Sequence, residues 1–199
     1  MKKVIFALLA LGAANAAQAD IIPSLTVGSP VQVGSLFRYD YTATLAADQQ
    51  LQSGNFFTIY DFQGFTNFGT VAANFSPSSQ FTGITPNDVI PADNAGILNI
   101  SFVYSGPTLN NPPAGGQGVS VELGTFQVFS TLNQGAQLLN FASRAIKNNG
   151  DSAGSTVSNV GFTSGPGAVP EPSVWAMLLV GFGAIGYSAR RRNAVAVAA

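Results

Sequence analysis

Residues 37–45 (Phe37-Arg38-Tyr39-Asp40-Tyr41-Thr42-Ala43-Thr44-Leu45) are apolar at the odd positions. The even positions carry Arg38, Asp40, Thr42 and Thr44. A period of two belongs to a strand with one buried face. Residues 97–104 repeat the pattern, with Leu98, Ile100, Phe102 and Tyr104 on one face and Asn99 and Ser101 opposite. Residues 55–62 carry aromatic side chains on both faces, which predicts a strand buried between layers. Val119, Val121 and Leu123 share one phase, and the alternation restarts after Gly124 on Phe126 and Val128. A phase change at a glycine predicts a β-bulge or a strand bending between sheets.

Shorter strands are expected near residues 25–27, 70–75, 137–142 and 156–162. Turn chemistry separates them, at Ser29-Pro30, Ser76-Pro77, Thr85-Pro86-Asn87-Asp88 and Pro91-Ala92-Asp93-Asn94, and in the Pro/Gly run 111–116. Residues 132–147 are the one body segment with room for a helix, and their Asn and Gly content opposes it. No internal repeat is present, which excludes a solenoid or propeller. The pattern predicts an all-β body, an antiparallel β-sandwich or jelly-roll, followed by a C-terminal hydrophobic helix.

The two ends of the chain read as addresses. Met1-Lys2-Lys3 is a basic start, residues 4–11 are an apolar core, and Ala17-Gln18-Ala19 supplies small residues before Asp20. This is an export signal that signal peptidase cleaves after Ala19, and the apolar run is too short to span a bilayer. At the other end, Pro170-Glu171-Pro172 precedes Trp175-Ala176, an apolar stretch reaching Ala189, and Arg190-Arg191-Arg192. The prolines stop a helix at the boundary, Trp175 suits a membrane interface, and the arginines suit the cytoplasmic side. The 16 apolar residues from Val174 to Ala189 make about 24 Å of helix, short of a hydrocarbon core of about 30 Å. Anchoring at the interface or removal fits this length better than a permanent span. The expected organisation is a signal peptide over 1–19, a sandwich over 20–147, a Gly/Ser-rich linker over 148–169 and a sorting tail over 170–199.

Pro170, Glu171, Pro172, Trp175 and Ala176, the apolar segment and the three arginines together resemble the PEP-CTERM sorting domain in its PEPxxWA variant. The resemblance implies export in a Gram-negative bacterium, passage through an inner-membrane intermediate, and recognition by an exosortase, an integral-membrane cysteine transpeptidase. It implies that this enzyme removes the tail near the Pro-Glu-Pro. It also implies delivery to the cell surface or to an exopolysaccharide matrix such as that of a biofilm.

Composition narrows the chemistry of the body. The chain has no histidine and no cysteine, which removes imidazole bases, thiol nucleophiles, Cys-ligated metals and disulfides. Residues 20–169 hold Arg38, Arg144 and Lys147 against eight acids, a net charge of −5, so a nucleic-acid partner is not expected. Gly181-Phe-Gly183-Ala-Ile-Gly186 has the spacing of a dinucleotide loop. Only 13 residues come after it and none is acidic, so it reads as small residues within an apolar helix. Carboxylates are the acid–base groups that remain. Asp61, Glu122, Asp88 and Asp93 are the candidates for a glycosidase-like pair, and Asp40 and Glu122 are expected on a solvated strand face. Asn87, Asp88, Asp93 and Asn94 offer loop oxygens of the kind calcium takes, without an EF-hand spacing.

Phe56, Phe57, Tyr60, Phe62, Phe65 and Phe68 are close in sequence. Core packing accounts for most of them. Phe65 and Phe68, in the loop-like stretch 64–69, are the candidates for stacking on a sugar ring. The expectation is a non-catalytic exported surface or matrix protein with no metal or cofactor. Its partners would be signal peptidase, an exosortase-like transpeptidase, the membrane through its tail, and exopolysaccharide. The alternatives are a secreted carbohydrate-active enzyme with paired carboxylates and a self-assembling adhesin.

Overall fold

A computed structural model describes residues 21–111, 119–133, 137–167, 177–183 and 185. The twelve strands among them form two antiparallel sheets packed face to face, the sandwich that the alternation predicts. The first sheet holds β1 (Ile21–Leu25), β2 (Val31–Val33), β3 (Leu36–Leu45), β6 (Phe65–Phe68) and β10 (Val121–Ser130). Its order is β1-β3-β10-β6, with β2 continuing along β3. The second sheet holds β4 (Gln49–Leu51), β5 (Phe56–Ile59), β7 (Phe75–Gln80), β8 (Asn99–Tyr104) and β9 (Leu109–Asn111). It is completed by β11 (Gln137–Lys147) and β12 (Thr156–Gly165), which pair along ten residues.

The odd positions of β3 face inward: Tyr39, Tyr41, Ala43 and Leu45 are all fully buried. They meet a layer of rings from the opposite sheet. Phe126 on β10 lies 5.0 Å from the Phe57, Phe75 and Phe102 rings, which come from three strands of the second sheet. Most of these contacts are edge-to-face, the arrangement aromatic quadrupoles favour. The phase change in β10 is a bulge. Its register against β3 shifts between Glu122 and Gly124, and Gly124 takes a φ of +115° that a side chain would strain. Two tyrosines on β3 also make long-range ties: the Tyr39 hydroxyl donates to the Leu132 carbonyl just after β10, and the Tyr41 hydroxyl crosses to the Ser164 carbonyl on β12, each at 2.9 Å.

The strand expected at 137–142 runs on to Lys147, pairing with β12 along one edge and with β5 and β4 along the other. Several other expectations are corrected. Residues 148–169 are not one linker, since β12 occupies 156–165. Residues 70–74 connect β6 to β7, which begins only at Phe75, and 64–69 is not a loop but contains β6. Residues 25–27 hold only the last residue of β1 before a turn. Ser76-Pro77 does not end a strand: β7 runs through it as a sheet edge paired only with β8, where a missing N–H is tolerated.

The outer face of β8 is also not solvated. Asn99 and Ser101 are as buried as their apolar neighbours, because residues 81–98 fold back over the second sheet. Thr58 and Tyr60 donate to the Ile84 carbonyl from beneath that cover. In the tail, residues 177–183 are helical, and Met177, Leu178, Leu179, Val180 and Phe182 are all exposed. This apolar segment therefore packs no face against the body. Among the described residues no helix is long and apolar enough to cross a membrane.

Candidate functional site

The strand directions collect one set of loops at one end of the sandwich. β5 ends, β6 begins, β7 ends, β8 begins and β10 ends there, as the pairings of Ile59 with Ile100, Gln80 with Asn99 and Ser130 with Phe65 require. These loops enclose an open cleft of about 540 Å³. One wall is the β5–β6 connection, with Phe62, Gln63, Gly64 and Phe65. A second is the β7–β8 segment, with Phe81 and residues 96–98. Thr131 and Leu132, after β10, close the third side.

Backbone hydrogen bonds hold the walls in place. The Phe62 amide donates to the Leu98 carbonyl and the Thr131 amide to the Gly64 carbonyl, both at 2.9 Å. The Ser130 hydroxyl donates to the Gln63 carbonyl at 2.8 Å and accepts from the Leu132 amide at 3.0 Å. Gly64 suits this join twice over. Its φ is +65°, and a Cβ there would stand 2.6 Å from the Thr131 hydroxyl and 2.8 Å from that of Ser130. Tyr39 fixes the third wall through Leu132, and burial pushes its phenol up to about 12, which keeps it a neutral donor.

A polar cluster borders the cleft beside Phe62. Asn99, fully buried, accepts the Asp61 amide on its side-chain oxygen and donates its side-chain nitrogen to the Asp93 carboxylate at 2.9 Å. The Asp61 carboxylate accepts the Asn94 amide at 2.9 Å, and Asn94 in turn accepts the Gly96 amide. Asp61 sits at a φ of 57°, a conformation Asp and Asn tolerate better than most residues. Burial raises its carboxyl above the ordinary range; the Asn94 amide opposes that and the charge of Asp93 adds to it.

The candidates from sequence separate on this frame. Of the four acids, Asp61 and Asp93 come together through Asn99. Glu122 is exposed on β10 opposite Thr44 at the far end of the other sheet, on the solvated face expected for it. Asp40 is instead half-buried and paired with Arg38 at 2.8 Å. Asp88 is exposed within the β7–β8 segment. Of the calcium set, Asp93 accepts from Asn99 on one carboxylate oxygen and Asn94 accepts from the Gly96 amide on its side-chain oxygen. Among the described residues no three acidic side chains gather to hold a metal.

Phe65 and Phe68 are half-buried strand residues packed on each other at 4.9 Å rather than loop aromatics. Phe65 lines the cleft, whereas Phe68 turns toward Phe102. The most exposed ring of the cleft is Phe81, at 56%. The alternation pattern does not single it out, although an aromatic between Gln80 and Thr82, ahead of a Pro-rich segment, has no apolar partner at strand spacing. Ala17, Ala19, Asp20, Pro170, Glu171, Pro172, Trp175, Ala176, Arg190, Arg191 and Arg192 lie outside the described residues.

The body ends in a defined place. Tyr41 holds Ser164, and the chain stays buried through Gly167, which packs against the Gln137 side chain. The segment beyond Gly167 decides the address. Residues 168–192 match the PEP-CTERM protein-sorting motif. The chain is thus a PEP-CTERM domain-containing protein, exported and sorted to the bacterial cell surface by an exosortase. No curated protein and no solved structure matches it, so the role of the PEP-CTERM protein's body is argued from its own geometry.

Proposed function

We propose that this is a non-catalytic surface or matrix protein of a Gram-negative bacterium, whose sandwich displays a polysaccharide-binding cleft. The tail holds the precursor at the inner membrane until the exosortase cuts near Pro170–Pro172, after signal peptidase has cut at Ala19. The observation that carries the reading is the exposed Phe81 ring beside Phe65, in a cleft with a polar rim, on a chain addressed to the cell surface. Aromatic faces bordered by fixed amides and carboxylates suit sugar rings, which present apolar C–H faces and polar edges.

Two measurements test this reading. Mass spectrometry of terminal peptides from membrane and extracellular fractions is expected to find a start at Asp20 and, outside the cell, an end near Pro170–Pro172. Affinity electrophoresis in gels containing the cell's own extracted exopolysaccharide is expected to retard the protein, and Phe81→Ala to abolish the retardation. Unretarded wild-type protein would sink the binding reading.

A second reading has one observation in its favour: Asp61, with its raised carboxyl, and Asp93 are joined through Asn99, next in sequence to the cleft residues Phe62 and Leu98. Acid–base hydrolysis of a glycan by that pair would release reducing ends, and Asp61→Asn would abolish the release.

A further inference from the structure

The last strand of the body leaves the sandwich at one particular end. β12 ends at Gly165 opposite Gln137, where β11 begins. That is also where Thr131 and Leu132 leave β10 to line the cleft. The opposite end holds Ile21, paired with Leu45, and the β11–β12 turn. The two termini of the body therefore leave from opposite ends, and the C-terminal exit shares its end with the cleft.

Chain length limits how far that end can stand from the membrane. From Gly167, the last described residue of the body, three residues reach Pro170 and eight reach Trp175. Fully extended, these spans are at most about 11 Å and about 28 Å. The eleven residues of β11 alone cover about 35 Å, so the tether is shorter than the body.

We propose that, while the tail is attached, the cleft-bearing end is turned to the membrane surface and closed to polymers, and that tail removal uncovers it. Sorting and exposure of the cleft then become one event. The inference rests on the reading of the tail as a membrane tether, but not on what the cleft binds.

The charges of the body favour release once the tether is cut. Asp61, Asp88 and Asp93 belong to the loops of the cleft end, and an anionic membrane surface repels them. The body's cations do not oppose this. Arg38 is paired with Asp40 at 2.8 Å, and Arg144 and Lys147 lie in the far half of β11, Arg144 over the Phe56 ring.

The chain has no cysteine, so an introduced thiol is unique. Phe81→Cys and Ala95→Cys place it at two exposed points beside the cleft, and Ser152→Cys places it in the exposed β11–β12 turn. Each full-length variant is labelled with a polyethylene-glycol maleimide, on spheroplasts for the membrane form that retains Trp175 and in medium for the released form. Position 152 is expected to label in both forms. Positions 81 and 95 are expected to lose labelling in the membrane form and recover it in the released form. Equal labelling at all three positions in the membrane form overturns the orientation, as does shielding of position 152. A membrane fraction with no form retaining Trp175 removes the tether, and the inference falls with it.

Discussion

The seam between the two sheets and the loop end of the sandwich are both built around phenylalanine, with opposite outcomes. Phe57, Phe102 and Phe126 are sealed between layers at ring separations near 5 Å. Phe81 leaves more than half its surface in water, above a polar cluster of Asp61, Asp93 and Asn99. A ring contributes stability in proportion to the apolar surface it removes from water on folding. The seam collects that gain, while Phe81 leaves most of its surface in water.

The contrast breaks most visibly at the seam. Phe126→Ala is expected to cost about 3–5 kcal/mol, because a fully buried ring at the centre of three partners leaves a cavity. Urea denaturation reads that loss, and Phe81→Ala in the same assay is expected to stay within about 0.5 kcal/mol of the parent. A large loss from Phe81→Ala would mean that the loop end is core rather than contact surface.

Next in size is the bulge that lets β10 serve both regions. Gly124→Val is expected to cost about 1–3 kcal/mol, from the positive φ and a Cβ forced to 2.9 Å from that of Ala72. If the variant is as stable as the parent, the bulge is not what fixes the register of β10.

The smallest effect is at the polar rim. The Asp61 carboxyl is raised above its ordinary value of 3.8, mainly by burial, so the folded protein binds that proton more tightly than the unfolded chain. Its contribution is fully present below 3.8 and is lost as pH rises through the folded value. Denaturation midpoints followed from acid to neutral pH are expected to show this decline, and Asp61→Asn is expected to flatten it. An unchanged profile would mean that Asp61 is not desolvated beside Asn94.

The legible parts of the fold were those where one face is wet and the other dry. β3 was readable end to end, because its alternation reports a half-buried strand directly, and the phase break at Gly124 located a bulge. The short strands β2, β4 and β9 carry three residues each, too few for a period to show. β7 was hidden by Ser76-Pro77, since turn residues and edge-strand residues look alike without knowledge of which strands have one neighbour. The site was half legible: Phe65 and Asp61 stood out in the sequence, while Phe81, Asn99 and the 96–98 wall did not.

By itself the sequence determined the class of the fold and the address of the protein. Alternation comes from the chain's local geometry, and the PEP-CTERM motif is a contiguous string. The tertiary structure decided which acids are neighbours, which rings are covered, and at which end of the body the tail departs. Those properties depend on strand order and register, which bring residues as distant as Gly64 and Thr131, or Asp61 and Asp93, to one edge. No local period encodes that order. It is set by which arrangement of two sheets closes over the most apolar surface while pairing the backbone.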